Sequence, residues 1–181
     1  MKTIMLSLLA AFGFSASAQV TKVSLQASGL TCSMCSKAVL KSLQEVSFVE
    51  KVSVDIKTQQ YNMTFKETEQ VSFDALEKAV ADAGFSVAGL KVTANVNDLK
   101  VAKEEHVKIG DHYFHFLNKD EKKYNGPVTF SIVDKAFVPA KDFKKYSSMT
   151  KMKCIETGKM EACCSTENAP AEGTRIYHAI I

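Results

Sequence analysis

Val23-Ser24-Leu25-Gln26-Ala27-Ser28-Gly29-Leu30-Thr31-Cys32-Ser33-Met34-Cys35-Ser36-Lys37-Ala38-Val39 changes its hydrophobic period halfway along, and that change decides the fold. Up to Ala27 the apolar residues Val23, Leu25 and Ala27 alternate with Lys22, Ser24 and Gln26, the period of a half-buried strand. From Ser33 the period becomes helical: Cys35, Ala38, Val39, Ser42, Leu43 and Val46 fall on one face, with Lys37, Lys41, Gln44 and Glu45 elsewhere. Working outward, Val52, Val54 and Ile56, then Tyr61, Met63 and Phe65, alternate on either side of the polar turn 57–60 and predict a hairpin. Phe73, Leu76, Val80 and Ala83 recur at helical spacing behind a capping Ser72, and Gly84 stops the helix. A last strand begins at Phe85. Its alternation changes phase between Val87 and Leu90, which predicts a bulge or break at Ala88-Gly89. The order βαββαβ in about 70 residues is a split βαβ unit, an α+β plan with one antiparallel sheet and both helices on one face.

The whole chain has 181 residues, 46% of them hydrophobic and 24% charged, which excludes disorder and fibrous repeats. A formal charge of +3, with no long basic block, excludes polyanion binding as a main function, so no nucleic-acid partner is expected. Residues 1–18 read as a cleavable signal peptide: Lys2, an apolar run from Ile4 to Phe14, and the small-residue ending Ala16-Ser17-Ala18 before Gln19. The run is too short to span a bilayer about 30 Å thick. The expected product is a periplasmic or secreted protein with no membrane insertion after cleavage.

Cys32 and Cys35 stand three residues apart at a helix start. There the unpaired backbone N–H groups and the helix dipole favour thiolates. Two thiolates satisfy Cu(I), whereas Zn(II) prefers four ligands, and Thr31 brings no carboxylate to make a harder site. Thiol oxidoreductases also place a CxxC between strand and helix. However, no proline occurs between Cys35 and Pro127 to build the cis-proline loop that such a site needs.

The segment Ser28-Gly29-Leu30-Thr31-Cys32-Ser33-Met34-Cys35, in a βαββαβ pattern and followed by Asp82-Ala83-Gly84-Phe85, resembles the heavy-metal-associated domain of copper chaperones, copper-transporting ATPases and periplasmic mercury-binding proteins. The resemblance covers residues 20–93. It implies a ferredoxin-like fold and a soft metal on Cys32 and Cys35. Leu30 stands where that family usually has Met and, packed under the loop, should serve as well. Met34 reads as a loop position. The expected function is Cu(I) binding and transfer or buffering, with exchange to a metal-donating or metal-accepting protein. Hg(II) or Zn(II) on the same residues, or thiol-disulfide exchange, are the alternatives.

The expected organisation is a signal peptide at 1–18, the metal domain at 19–93, a linker at 94–105 and a small β-rich domain at 106–181. In the last part, His112–Phe116 and Val128–Val138 read as strands, separated by a charged loop and an Asn125-Gly126-Pro127 turn. Ala140–Tyr146 reads as a short helix and Arg175–Ile181 as a final strand. Between them, loop-like residues 147–173 gather Met149, Met152, Cys154, Met160, Cys163 and Cys164. An oxidising compartment favours a disulfide from Cys154 to Cys163 or Cys164, and a second Cu(I) site of thiolates and thioethers is the alternative. His112 and His115, at odd spacing, point to opposite faces of a strand. With His106 and His178 they read as ordinary strand or loop histidines. No nucleophile triad, phosphate loop or HExxH motif is present, so no enzymatic activity is expected.

Overall fold

The computed structural model describes residues 18–102, 104–118, 120–162 and 170–181. The signal peptide expected at 1–18 lies, but for Ala18, outside the described residues, as do Cys163 and Cys164.

The change of period at Ser28 to Ser33 separates β1 (Gln19–Ser28) from α1 (Ser33–Gln44). There follow β2 (Val49–Asp55), β3 (Gln60–Phe65), α2 (Phe73–Asp82) and β4 (Ser86–Val101). These strands lie in the order β2-β3-β1-β4 and pair antiparallel, as the βαββαβ reading requires. Both helices pack together: α1 buries Val39 and Leu43, α2 buries Phe73, Leu76, Ala79 and Val80, and Ser42 Oγ donates to the Ala79 carbonyl at 2.6 Å. Ser72 caps α2 by accepting from the Ala75 N–H at 3.2 Å. Gly84 closes the helix at φ +87°, a conformation that favours glycine. The expected bulge is present, because Gln26 pairs with Gly89 and Ala27 with Val87, leaving Ala88 extra. Ile56, read as a strand residue, is instead 86% exposed in the turn, because Asp55 Oδ1 accepts from the Lys57 and Thr58 N–H groups and ends β2 first.

The segment expected as a linker, 94–105, is strand as far as Val101. Ala94 and Val96 are buried, then Leu99 and Val101, so the inward series slips phase by one residue. The slip is a bulge. Between Val96 and Leu99 the register against β7 (Lys122–Ile132) shifts, Asp98 takes φ +47°, and its N–H donates to Asn125 Oδ1 at 2.7 Å. The same bulge explains Asn125-Gly126-Pro127, which lies within β7 instead of forming a turn. Gly126 at φ +82° opposes Val96, and Pro127 opposes Asn95. Turn-forming residues serve here to bend a strand.

Beyond it lie β5 (His106–Ile109), β6 (His112–Phe116), α3 (Ala140–Ser147), α4 (Cys154–Thr157) and β8 (Ile176–Ile180). The strands join the same sheet in the order β2-β3-β1-β4-β7-β8-β6-β5, and among the described residues only β6 and β8 pair parallel. The β-rich segment at 106–181 therefore shares its sheet with residues 19–93, and a single buried cluster runs from Val39 and Leu76 to Phe114 and Phe130.

Polar contacts fasten the two segments as well. Asp74 on α2 accepts from Arg175 Nε and Nη2, both at 3.0 Å, and from the Tyr177 hydroxyl at 3.0 Å. The guanidinium lies 4.1 Å over the Tyr177 ring and 3.5 Å from buried Asp134. Burial opposes the Asp74 charge, but its hydrogen bonds to Arg175 outweigh that and hold the carboxyl below its usual range. Replacing Arg175 with Leu leaves two carboxylates short of a partner and should cost about 2 to 3 kcal/mol in urea unfolding at neutral pH. Since the folded-state value of Asp74 is lowered, its stabilisation is present above the unfolded value of about 4 and fades as pH falls below it, so the gap between wild type and variant should narrow in acid.

Candidate metal centre

Gly29, at φ +84°, turns the chain out of β1 beside Phe85, whose ring lies 3.9 Å from where a Cβ would stand. Leu30 then packs partly buried against the core, as its apolar side chain requires, and leaves Thr31 and Cys32 at the surface. Cys32 is the N-cap of α1, with extended backbone at φ −145°, ψ 160°, and its Sγ accepts from the Cys35 N–H at 3.3 Å. The first turn carries no acidic residue. From below, buried Tyr61 on β3 donates its hydroxyl to the Ser36 carbonyl at 3.1 Å, which fixes the helix start to the sheet.

This geometry places the two sulfurs 2.7 Å apart, Cys32 exposed and Cys35 half-buried. Their proton affinities diverge. The hydrogen bond from the Cys35 thiol, helped by the Cys35 backbone N–H, lowers the value of Cys32. The same shared hydrogen bond, then burial and the negative charge on Cys32, raises that of Cys35. The first proton to leave the pair is therefore that of Cys32, and a cation bound between the sulfurs would take the place of their shared hydrogen bond. Linear coordination needs the sulfurs about two metal–sulfur bonds apart, each roughly 2.3 Å, so the exposed Cys32 side chain must swing outward. Met34 is 70% exposed between them. Beside Cys32 opens a shallow, mainly apolar depression of about 410 Å³, lined by Leu30, Leu40, Val54, Ile56 and Tyr61.

Of the residues read as a second Cu(I) site, Cys154, Cys163, Cys164, Met149, Met152 and Met160, all but Cys163 and Cys164 lie among the described residues. Cys154 and Met160 are buried with Ile176, and Met152 packs partly against them, whereas Met149 lies outside that cluster, 37% exposed. The disulfide expected from Cys154 falls on partners outside the described residues.

The histidines lie on strands, as read, and the structure adds where they meet. His112 does point away from His115, stacking on Phe73 and Tyr177. His106, His115 and His178, however, occupy facing positions on β5, β6 and β8 and surround the Cys154 sulfur. Burial, with His178 and His106 nearby, pushes the His115 value down to about 3, and burial also lowers that of His106. Their convergence depends on strand register across 72 residues, and no spacing in the sequence signals it.

A family model for the heavy-metal-associated domain matches residues 24–86. The mercuric transport protein periplasmic component of Pseudomonas aeruginosa is 43% identical over 63 residues, which is 35% of this chain and 68% of that protein. The protein of the same name from Serratia marcescens is 38% identical over the same shares. Among solved structures, oxidized MerP from Ralstonia metallidurans CH34 is 40% identical, covering 39% of this chain and 97% of that one, with a TM-score of 0.33. A CopZ metallochaperone is 22% identical, covering 38% and 100%, with a TM-score of 0.34.

Limited alkylation of the reduced protein should label Cys32 before Cys35, and the preference should widen toward lower pH, where only the lowered group remains thiolate. Peptide mapping after a short iodoacetamide pulse checks this, and equal labelling at every pH would contradict it.

Proposed function

The chain belongs to the heavy-metal-associated domain family through residues 24–86, and from that premise we propose that it is an exported carrier of a soft metal ion, held by Cys32 and Cys35. One observation carries the reading: two cysteine sulfurs stand 2.7 Å apart at the exposed N-terminus of α1, where the helix stabilises negative charge and no carboxylate competes. Such a pair suits an ion content with two sulfur ligands, Cu(I) foremost. The protein binds and passes on its cargo and catalyses no reaction. Export follows from the signal-like residues 1–18, and no helix among the described residues is long and apolar enough to cross a membrane.

Transfer proceeds by ligand exchange. An incoming thiolate or thioether from a donor or acceptor protein adds to the ion, giving three sulfur ligands, and Cys32, the more exposed of the two, leaves first and is reprotonated. Cys35, held in the helix, keeps the ion until the second partner ligand arrives. The apolar depression beside Cys32 gives the partner a surface on which to align.

A second reading, Hg(II) on the same two sulfurs, is favoured by the mercuric transport proteins among the relatives. Zn(II) is a poorer fit because the loop offers it only two ligands.

In chelator competition the reduced protein should bind one Cu(I), and Cys32→Ser with Cys35→Ser should weaken that binding at least about a thousandfold, or roughly 4 kcal/mol. Full affinity in the double variant would refute the assignment. Native mass spectrometry of the protein from its own compartment should show Cu(I), or on the second reading Hg(II), and a mature N-terminus at Gln19.

A further inference from the structure

We propose that His106, His115 and Cys154 form a second metal site, separate from the exposed thiol pair, that takes a borderline divalent ion of the Zn(II) type. The three strands bring imidazoles into line, since His106 faces His115 across β5 and β6, and His115 faces His178 across β6 and β8. Their rings stand 5.1 and 5.2 Å apart, centre to centre. Cys154, the first residue of α4, places its sulfur 4.0 Å from His106 Nε2 and 3.8 Å from His115 Nδ1. The ligand atoms of His106, His115 and Cys154 all lie within 4.8 Å of one another. Metal–sulfur and metal–nitrogen bonds of about 2.3 and 2.0 to 2.1 Å in a tetrahedron separate sulfur from nitrogen by roughly 3.5 Å, so small side-chain rotations would close the site on an ion.

Surrounding groups fit the same purpose. Metal-binding imidazoles commonly turn their other nitrogen to a carboxylate. His115 Nε2 lies 3.9 Å from Glu104 Oε2, which is anchored by a 3.0 Å hydrogen bond from Thr150 Oγ1. The Nδ1 of His106 is buried with no hydrogen-bond partner among the described residues, so no competing bond dictates how that ring sits. His178 lies against the sulfur, Nε2 to Sγ 3.2 Å, and its Nδ1 is 2.6 Å from buried Asp134. As an ion binds, the Cys154 S–H bond breaks, a metal–sulfur bond forms, and the proton is released to solvent.

Thiol, imidazole and carboxylate in that order also describe a nucleophile and its base. Cys154 and His178 are fully buried, however, and two further imidazoles crowd the sulfur, an arrangement that encloses an ion and keeps a substrate out. Imidazoles outnumber sulfur here, so the site favours a borderline ion, whereas the thiol pair favours a soft one.

Co(II) is the probe, added to the reduced full chain carrying Cys32→Ser and Cys35→Ser, so the outcome does not depend on the first site. One equivalent should produce tetrahedral visible absorption and one sulfur-to-cobalt charge-transfer band, both displaced by Zn(II), and Zn(II) should raise the unfolding midpoint. Cys154→Ser should abolish the charge-transfer band, and His106→Gln and His115→Gln should each weaken binding at least about tenfold. His106 is only partly buried, so its variant should fold. Should Cys154→Ser fail to fold, the spectrum of the parent chain decides. Absence of the band in the parent, its persistence in Cys154→Ser, or recovery of Cys154 as a disulfide from the native compartment would overturn the proposal.

Discussion

Both edges of β4 are taken, and the rest of the structure depends on that pairing. Along one edge it pairs with β1, from Ser28 against Ser86 to Gln19 against Asn95. Along the other it pairs with β7, from Leu90 against Ile132 to Val101 against Lys122. A 16-residue strand shared in this way turns a four-stranded βαββαβ unit into half of an eight-stranded sheet. Strand β7 in turn holds β8, and β8 orders β6 and β5. The Asp74, Arg175 and Asp134 contacts add charge pairing on the helical side, where α2 meets β8. In exposed surroundings such pairs contribute little, but here burial of the guanidinium and of Asp134 makes each partner necessary to the other.

The chain places its sulfur in two contrasting environments. Cys32 and Cys35 sit on a loop that the sheet supports only from beneath, through Leu30 and Tyr61, so ligands can come and go at the outer side. Cys154 is enclosed by three strands and a short helix, its sulfur buried among the imidazoles of His106, His115 and His178. A ligand from outside can reach the first pair, whereas the second sulfur is shut in. The difference follows from the desolvation around each sulfur more than from the ligand types.

Much of the metal domain was legible in linear order. Alternation at Val23, Leu25 and Ala27, the cap at Ser72, the stop at Gly84 and the bulge at Ala88 are local properties, set by side-chain period and backbone conformation within a few residues. The thiol pair was legible for the same reason, since a helix start fixes the relation of Cys32 to Cys35. Residues 94–101 were not, because the bulge at Asn97-Asp98 breaks the inward alternation, and a strand with a broken period looks like a linker. Asn125-Gly126-Pro127 misled in the opposite sense, since the same residue types that close turns also relieve bulges.

By itself, then, the sequence determined the βαββαβ plan of residues 19–93 and the thiol pair at the start of α1, both of which arise from neighbours along the chain. Tertiary structure alone decided that residues 106–181 extend the same sheet, and that His106, His115, His178 and Cys154 meet. Backbone hydrogen bonds between strands carry no side-chain signature. The parallel pairing of β6 with β8 joins His115 to His178 across 63 residues, and nothing in the spacing of the two histidines encodes that register.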